Sequence, residues 1–145
     1  MIIESKSMEE THTIAGNLLE HVKPGTVIAL IGDLGAGKTV FSQGFAKALG
    51  INERVGSPTF KLVSEYYGEF FTLYHIDAYR LKGSSDFLNI GGEEYLYSEN
   101  SFTLIEWANI IEDILPKNIV TIKFSRIKKD LNIRVLEVKG LNNES

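Results

Sequence analysis

The chain has 145 residues, 43% of them hydrophobic and 23% charged, with a formal net charge of −4 and no cysteine. That is enough polypeptide for one core and too little for two. The missing cysteine excludes disulfides, thiolate metal sites and cysteine nucleophiles, and the acidic balance argues against a protein that grips DNA or RNA by itself.

The first residues, Met1-Ile2-Ile3-Glu4-Ser5-Lys6, carry no signal- or transit-peptide pattern, and no apolar run approaches the length of a membrane span. The expectation is a cytoplasmic protein with no membrane partner, built as a single domain over 1–140 with a loose tail at 141–145. A short strand opens the chain at 1–4. Residues 7–22 then carry a helix signal: Ser7 and Glu10 have capping-box spacing, and Ile14, Leu18, Leu19 and Val22 share one face. Lys23-Pro24-Gly25 ends that helix.

The apolar, β-branched run 26–31 leads into Gly32-Asp33-Leu34-Gly35-Ala36-Gly37-Lys38-Thr39, which fits G-x-x-x-x-G-K-[ST] at each fixed position. Helical spacing follows over 40–49 and stops at Gly50. Strand, glycine loop and helix make the context in which this pattern cradles phosphates. Glycines bring backbone N–H groups close to phosphate oxygens, and the helix adds the positive end of its dipole. Lys38 is placed to reach the β/γ-phosphates and the Thr39 hydroxyl to complete the shell of a Mg²⁺ ion. The sequence predicts a nucleotide-binding protein.

Residues 51–60 lack periodicity and read as a loop near the nucleotide. In it Thr59, after Ser57-Pro58, has two readings: it sits where switch-type NTPases place a Thr that senses the γ-phosphate and Mg²⁺, or it is a turn residue fixed by Ser57-Pro58. Two β-rich runs, 61–67 and 70–76, flank Gly68-Glu69 as a hairpin. The second ends in His75-Ile76-Asp77. Residues 84–97 predict short helices broken at Gly91-Gly92, with Ser85 or Asp86 as cap. A buried strand at 102–105 runs into Glu106-Trp107, a short helix covers 108–115, and two strands at 119–127 and 132–138 form a final antiparallel pair. Arg126, Lys128 and Lys129 read as a solvated turn.

A P-loop ATPase needs an acid near its metal and a group to orient water. Asp77 and Glu106 each follow an apolar strand, where the ligand lies in open α/β sheets, and at least one is predicted to be a metal-site acid. His75 reads as lying off the face parity of Asp77, which favours a structural hydrogen bond over catalysis. Trp107 has two readings, a core residue or a seal over the site. The absence of an Asn-Lys-x-Asp motif disfavours a GTPase. The single arginine between 80 and 100, Arg80, disfavours a small-molecule kinase with an arginine-rich lid.

The ordered set Gly32-Asp33-Leu34-Gly35-Ala36-Gly37-Lys38-Thr39, Ser57-Pro58-Thr59-Phe60, His75-x-Asp77-x-Tyr79-Arg80-Leu81 and Ile105-Glu106-Trp107 resembles the motifs of the TsaE family over nearly the whole chain. These are bacterial ATPases required to make threonylcarbamoyladenosine at position 37 of tRNAs. The resemblance implies ATP on the loop through Asp33, Leu34, Gly35, Ala36, Gly37, Lys38 and Thr39. It also implies Mg²⁺ held by Thr39 and Glu106, Asp77 needed for hydrolysis, and Thr11 near the adenine. It implies partners as well, TsaD and TsaB, with tRNA met indirectly through the complex. The fold expected is a three-layer α/β P-loop NTPase-like domain, its mostly parallel sheet extended by antiparallel strands. Two rivals remain, a nucleotide-gated interaction module with little catalysis and a small-molecule kinase.

Overall fold

The computed structural model describes residues 1–32, 37–56, 58 and 61–141. They run β1 (Ile2–Ser5), α1 (Met8–Leu19), β2 (Val27–Ile31), α2 (Lys38–Ala48), β3 (Val63–Tyr67), β4 (Thr72–Asp77), α3 (Ser84–Asn89), α4 (Glu93–Leu96), β5 (Ser101–Glu106), a 3₁₀ helix (Ala108–Ile114), β6 (Val120–Ile127) and β7 (Asp130–Lys139).

Local chemistry sets the ends of α1. The Glu10 N–H donates to Ser7 Oγ at 3.0 Å, and the Glu10 carboxylate accepts the Lys6 N–H at 2.6 Å, one residue ahead of the usual capping-box partner. The helix ends at Leu19, short of the predicted 22, because Glu20, His21 and Val22 each donate to the carbonyl three residues back. Around α3 the expected cap is corrected. Gly83 is the N-cap and makes no side-chain cap bond, while Asp86, inside the first turn, accepts the Lys82 N–H at 2.9 Å.

Seven strands form one sheet in the order β1-β7-β6-β2-β5-β4-β3. The central strands β6, β2, β5 and β4 are parallel. The hairpin partners β3 and β7 add antiparallel on either side, and β1 pairs antiparallel with β7 at the far edge. Alternation along β2 explains the layering. Ile28 and Leu30 enter a core with Phe41 and Phe45 of α2 and with Ala15 and Leu18 of α1. Val27 and Ala29 enter a second core with Phe87, Leu96 and Ile111, on the opposite face. A central strand buried on both faces is the mark of a three-layer α/β fold.

Helices α1 and α2 approach closely at Gly44, where a Cβ would lie 2.6 Å from His12 Cα. Leu141, expected in the loose tail, instead packs half-buried against the core beneath α1; the rest of that predicted tail, 142–145, lies outside the described residues. Among the described residues no helix is long and apolar enough to cross a membrane.

Candidate functional site

Parallel pairing brings the ends of three strands together. Leu30 is in register with Glu106, and Glu106 with Asp77, so the exit of β2 and both acids share the carboxyl edge of the sheet. Immediately beyond β2, Gly32 has φ 150°, and a Cβ there would lie 2.6 Å from the Phe124 carbonyl oxygen on β6. Only glycine leaves the sheet so close to that neighbour. At the same edge α2 starts on Lys38, with Gly37 as its N-cap. Its first N–H groups and the positive end of its dipole therefore face the zone where open α/β sheets bind ligands.

Lys38 is 4% exposed. Its Nζ donates to the Gly32 carbonyl at 2.6 Å and stands 4.1 Å from the centroid of the Trp107 ring. Trp107 turns into this position at the end of β5. Its N–H donates to the Leu30 carbonyl at 3.2 Å, and its φ of 58° is left-handed, a costly conformation for a bulky residue. The ring lies 5.0 Å, centroid to centroid, from Tyr79, which is 52% exposed. Of the two readings open in the sequence, the geometry gives Trp107 a place over Lys38, with one side toward the second core.

Asp77 and Glu106 are each 4% exposed. Asp77 is held in place by its backbone and side chain together. Its N–H donates to the Leu62 carbonyl, and its Oδ1 accepts the Tyr79 N–H, both at 2.9 Å. Glu106 Oε2 lies 2.7 Å from His75 Nε2. The expected face parity of His75 is corrected here. His75 and Asp77 are two residues apart on β4 and so point to the same side, the side of Leu73 and of α2. The expectation of a hydrogen bond for His75 holds.

Buried acids beside the start of α2 fit a divalent cation, with a definite limit. Among the described residues, no group of three or more His, Cys, Asp or Glu is close enough to enclose one. Mg²⁺ is ordinarily bound through one or two carboxylates together with hydroxyl and phosphate oxygens rather than by a protein cage, and Asp77 and Glu106 supply two buried carboxylates at this edge. Thr39 is half-buried as the second residue of α2.

Thr11 stands apart from this cluster but on the same edge. Because β1 is antiparallel to β7 and β7 to β6, β1 runs with the parallel core, and α1 begins at the carboxyl edge. The Thr11 hydroxyl is buried and bonds Ser5 Oγ at 2.7 Å and the Ser7 carbonyl at 3.3 Å. The predicted loop residues Asp33, Leu34, Gly35 and Ala36, and the predicted switch residue Thr59 with Ser57 and Phe60, lie outside the described residues.

Sequence reasoning missed Arg134. A Cβ on Gly37 would sit 3.7 Å from its Cγ, Cδ and Nε, so the arginine lies against the loop just ahead of Lys38. It is the register partner of Arg126 across β6 and β7, two like charges directly opposed. Burial, and then the Arg126 guanidinium, lower the Arg134 pKa from its ordinary value. Arg126 is thus a strand residue paired with Arg134, and only Lys128 and Lys129 belong to the turn. The signal was present in the register of the last hairpin, not in any local motif.

The family model described as threonylcarbamoyl adenosine biosynthesis protein TsaE matches residues 5–134. The tRNA threonylcarbamoyladenosine biosynthesis protein TsaE of Bacillus subtilis is 43% identical over 84% of this chain and 75% of its own. The protein of the same name from Treponema pallidum is 43% identical over 88% of this chain and 93% of its own. The crystal structure of Bacillus subtilis YdiB superposes with a TM-score of 0.81 at 35% identity, covering 99% of this chain and 86% of that one. The chain belongs to the TsaE family of threonylcarbamoyladenosine biosynthesis.

Proposed function

We propose that this chain binds ATP with Mg²⁺ at the loop 32–39 and hydrolyses it in support of threonylcarbamoyladenosine formation at position 37 of tRNA. It acts in the cytoplasm as a subunit alongside TsaD and TsaB. The observation that carries this reading is the convergence of Lys38, Trp107, Asp77 and Glu106 on the carboxyl edge where α2 begins. The family supplies the pathway.

On this reading the amides of Asp33, Leu34, Gly35, Ala36 and Gly37 cradle the phosphates. Lys38 leaves the Gly32 carbonyl to neutralise charge on the β/γ-phosphates. Thr39 and Glu106 are the residues that would hold Mg²⁺, whose charge offsets that of the phosphates when it is bound. Asp77, fixed by Tyr79 and Leu62, orients the attacking water. Thr11 lies toward the adenine, Arg134 adds positive charge beside Gly37, and Thr59 senses the γ-phosphate. Trp107 and Tyr79 cover the site and limit access of bulk water. The acidic chain leaves tRNA to its partners.

The test is Mg²⁺-dependent ATP hydrolysis by the protein alone and with TsaD–TsaB, for wild type, Lys38→Ala and Glu106→Ala. Activity that rises with the partners and falls at least a hundredfold in both variants is the expected result, on the order of the loss when a transition-state contact is removed. Binding without hydrolysis in every mixture would put the nucleotide-gated module in front. Transfer of phosphate to a metabolite would favour the kinase.

A further inference from the structure

We propose that His75 is a positioning residue for Glu106, fixing its carboxylate as an ion ligand through one directed N–H. The inference rests on the reading of Glu106 as an ion-holding acid and adds a residue to it.

His75 is fully buried at an inner position of β4, opposite Leu104 of β5 and on the same side as Leu73. Surroundings of that kind suit leucine or isoleucine, and an imidazole there carries a desolvation cost unless its polar atoms are used. One atom is used: Nε2 lies 2.7 Å from Glu106 Oε2, the length of a hydrogen bond to a charged acceptor. The other is not: among the described residues, Nδ1 is buried with no hydrogen-bond partner.

That asymmetry assigns the tautomer. A proton on Nδ1 alone would bury an orphan donor and set two lone pairs, on Nε2 and Oε2, against each other. With the proton on Nε2, the imidazole donates to the carboxylate and only a bare lone pair is left unpaired. The hydrogen bonding of the ring is thus directed at a single oxygen. What His75 supplies that leucine would not is a stop on the rotation of the Glu106 carboxylate, leaving Oε1 in a defined direction.

Such a stop matters for Mg²⁺ in particular, because its octahedral shell tolerates little displacement of a ligand oxygen. Removing the hydrogen-bonding partner of a ligand side chain lowers metal affinity roughly tenfold to a hundredfold. The P-loop lysine and amides act on the phosphates directly, so nucleotide affinity without metal is not expected to need His75.

The experiment measures binding of adenylyl imidodiphosphate by calorimetry, in EDTA and across a Mg²⁺ titration, for wild type, His75→Leu, His75→Gln and Glu106→Gln. Thermal unfolding in EDTA checks that each variant is folded. For His75→Leu we expect EDTA affinity within about twofold of wild type and Mg²⁺ affinity lower by roughly tenfold to a hundredfold. His75→Gln, whose amide N–H can stand near Nε2, should recover most of the loss. Unchanged Mg²⁺ affinity in folded His75→Leu overturns the proposal, and so does an equal loss with and without Mg²⁺. Should His75→Leu fail to fold, His75→Gln is compared with His75→Asn, whose amide falls short of Glu106; equal Mg²⁺ affinities overturn the proposal. Glu106→Gln separates the two levels. If it keeps full Mg²⁺ affinity, the ion is not on Glu106 and both readings fall. If it loses affinity while His75→Leu does not, only the role of His75 falls.

Discussion

Arg134 shows what a single side chain contributes once its neighbours are known. Its stem packs on Gly37, its Nη1 donates to the Leu131 carbonyl at 2.5 Å, and it is the register partner of Arg126, a like charge on the neighbouring strand. Arg134→Met keeps the apolar stem and removes the charge. The expected outcome is ATP-analogue binding weakened roughly tenfold, with a smaller dependence on salt, in line with loss of one charged hydrogen-bonding group. Calorimetry at two salt concentrations checks it, and wild-type affinity would remove Arg134 from the site. Lys38, Asp77 and Glu106 were legible beforehand because each is announced locally, by the glycine motif or by an apolar strand ending in an acid. His75–Glu106 and Arg126–Arg134 were not, since each contact exists only in the register between two strands, and a register has no local spelling.

Among the elements, α2 is the one on which packing and function both depend. It presents Lys38 at its first residue and meets α1 at Gly44. In an exposed helix Gly→Ala gains about 1 kcal/mol from propensity. Here the added methyl would meet His12 Cα at 2.6 Å, backbone that cannot swing aside, and overpacking of this kind costs about 1–3 kcal/mol. The clash wins, and Gly44→Ala should lower the urea midpoint; a higher midpoint would show that the helices separate without cost. The hairpin of β3 and β4 and the pair β6–β7 could be read from alternation around their turns. The early end of α1 and the cap of α3 could not, because there i→i−3 bonding and an Asp inside the first turn took over.

For the molecule as a whole, the layered arrangement was predictable, since β2 is apolar on both faces and needs helices on both sides. The strand order was not. β2 lies between β5 and β6, some 70 to 90 residues further along the chain, and nothing in local pattern encodes that choice. With Lys38, Asp77 and Glu106 on one edge, nucleotide bound there as proposed should stabilise the sheet. At a hundredfold excess over Kd, ligand linkage adds about 2.7 kcal/mol, which is a rise in Tm of about 5–10 °C for a chain near this size. An ATP analogue with Mg²⁺ should produce that shift in wild type, with much of it lost in EDTA and nearly all of it in Lys38→Ala. A full shift in Lys38→Ala would place the ligand elsewhere.

The clasp on Lys38 has a thermodynamic consequence of its own. On the proposed reading, a nucleotide that draws the ammonium to its phosphates would part it from the Gly32 carbonyl and from the Trp107 ring. A cation–π contact alone is worth about 0.5–2 kcal/mol, so the observed affinity falls short of the intrinsic strength of the phosphate contacts by roughly two- to thirtyfold. If nucleotide binds as proposed, the ring over Lys38 would thus keep the protein from holding it as tightly as the phosphate contacts alone would allow, which would favour exchange over retention.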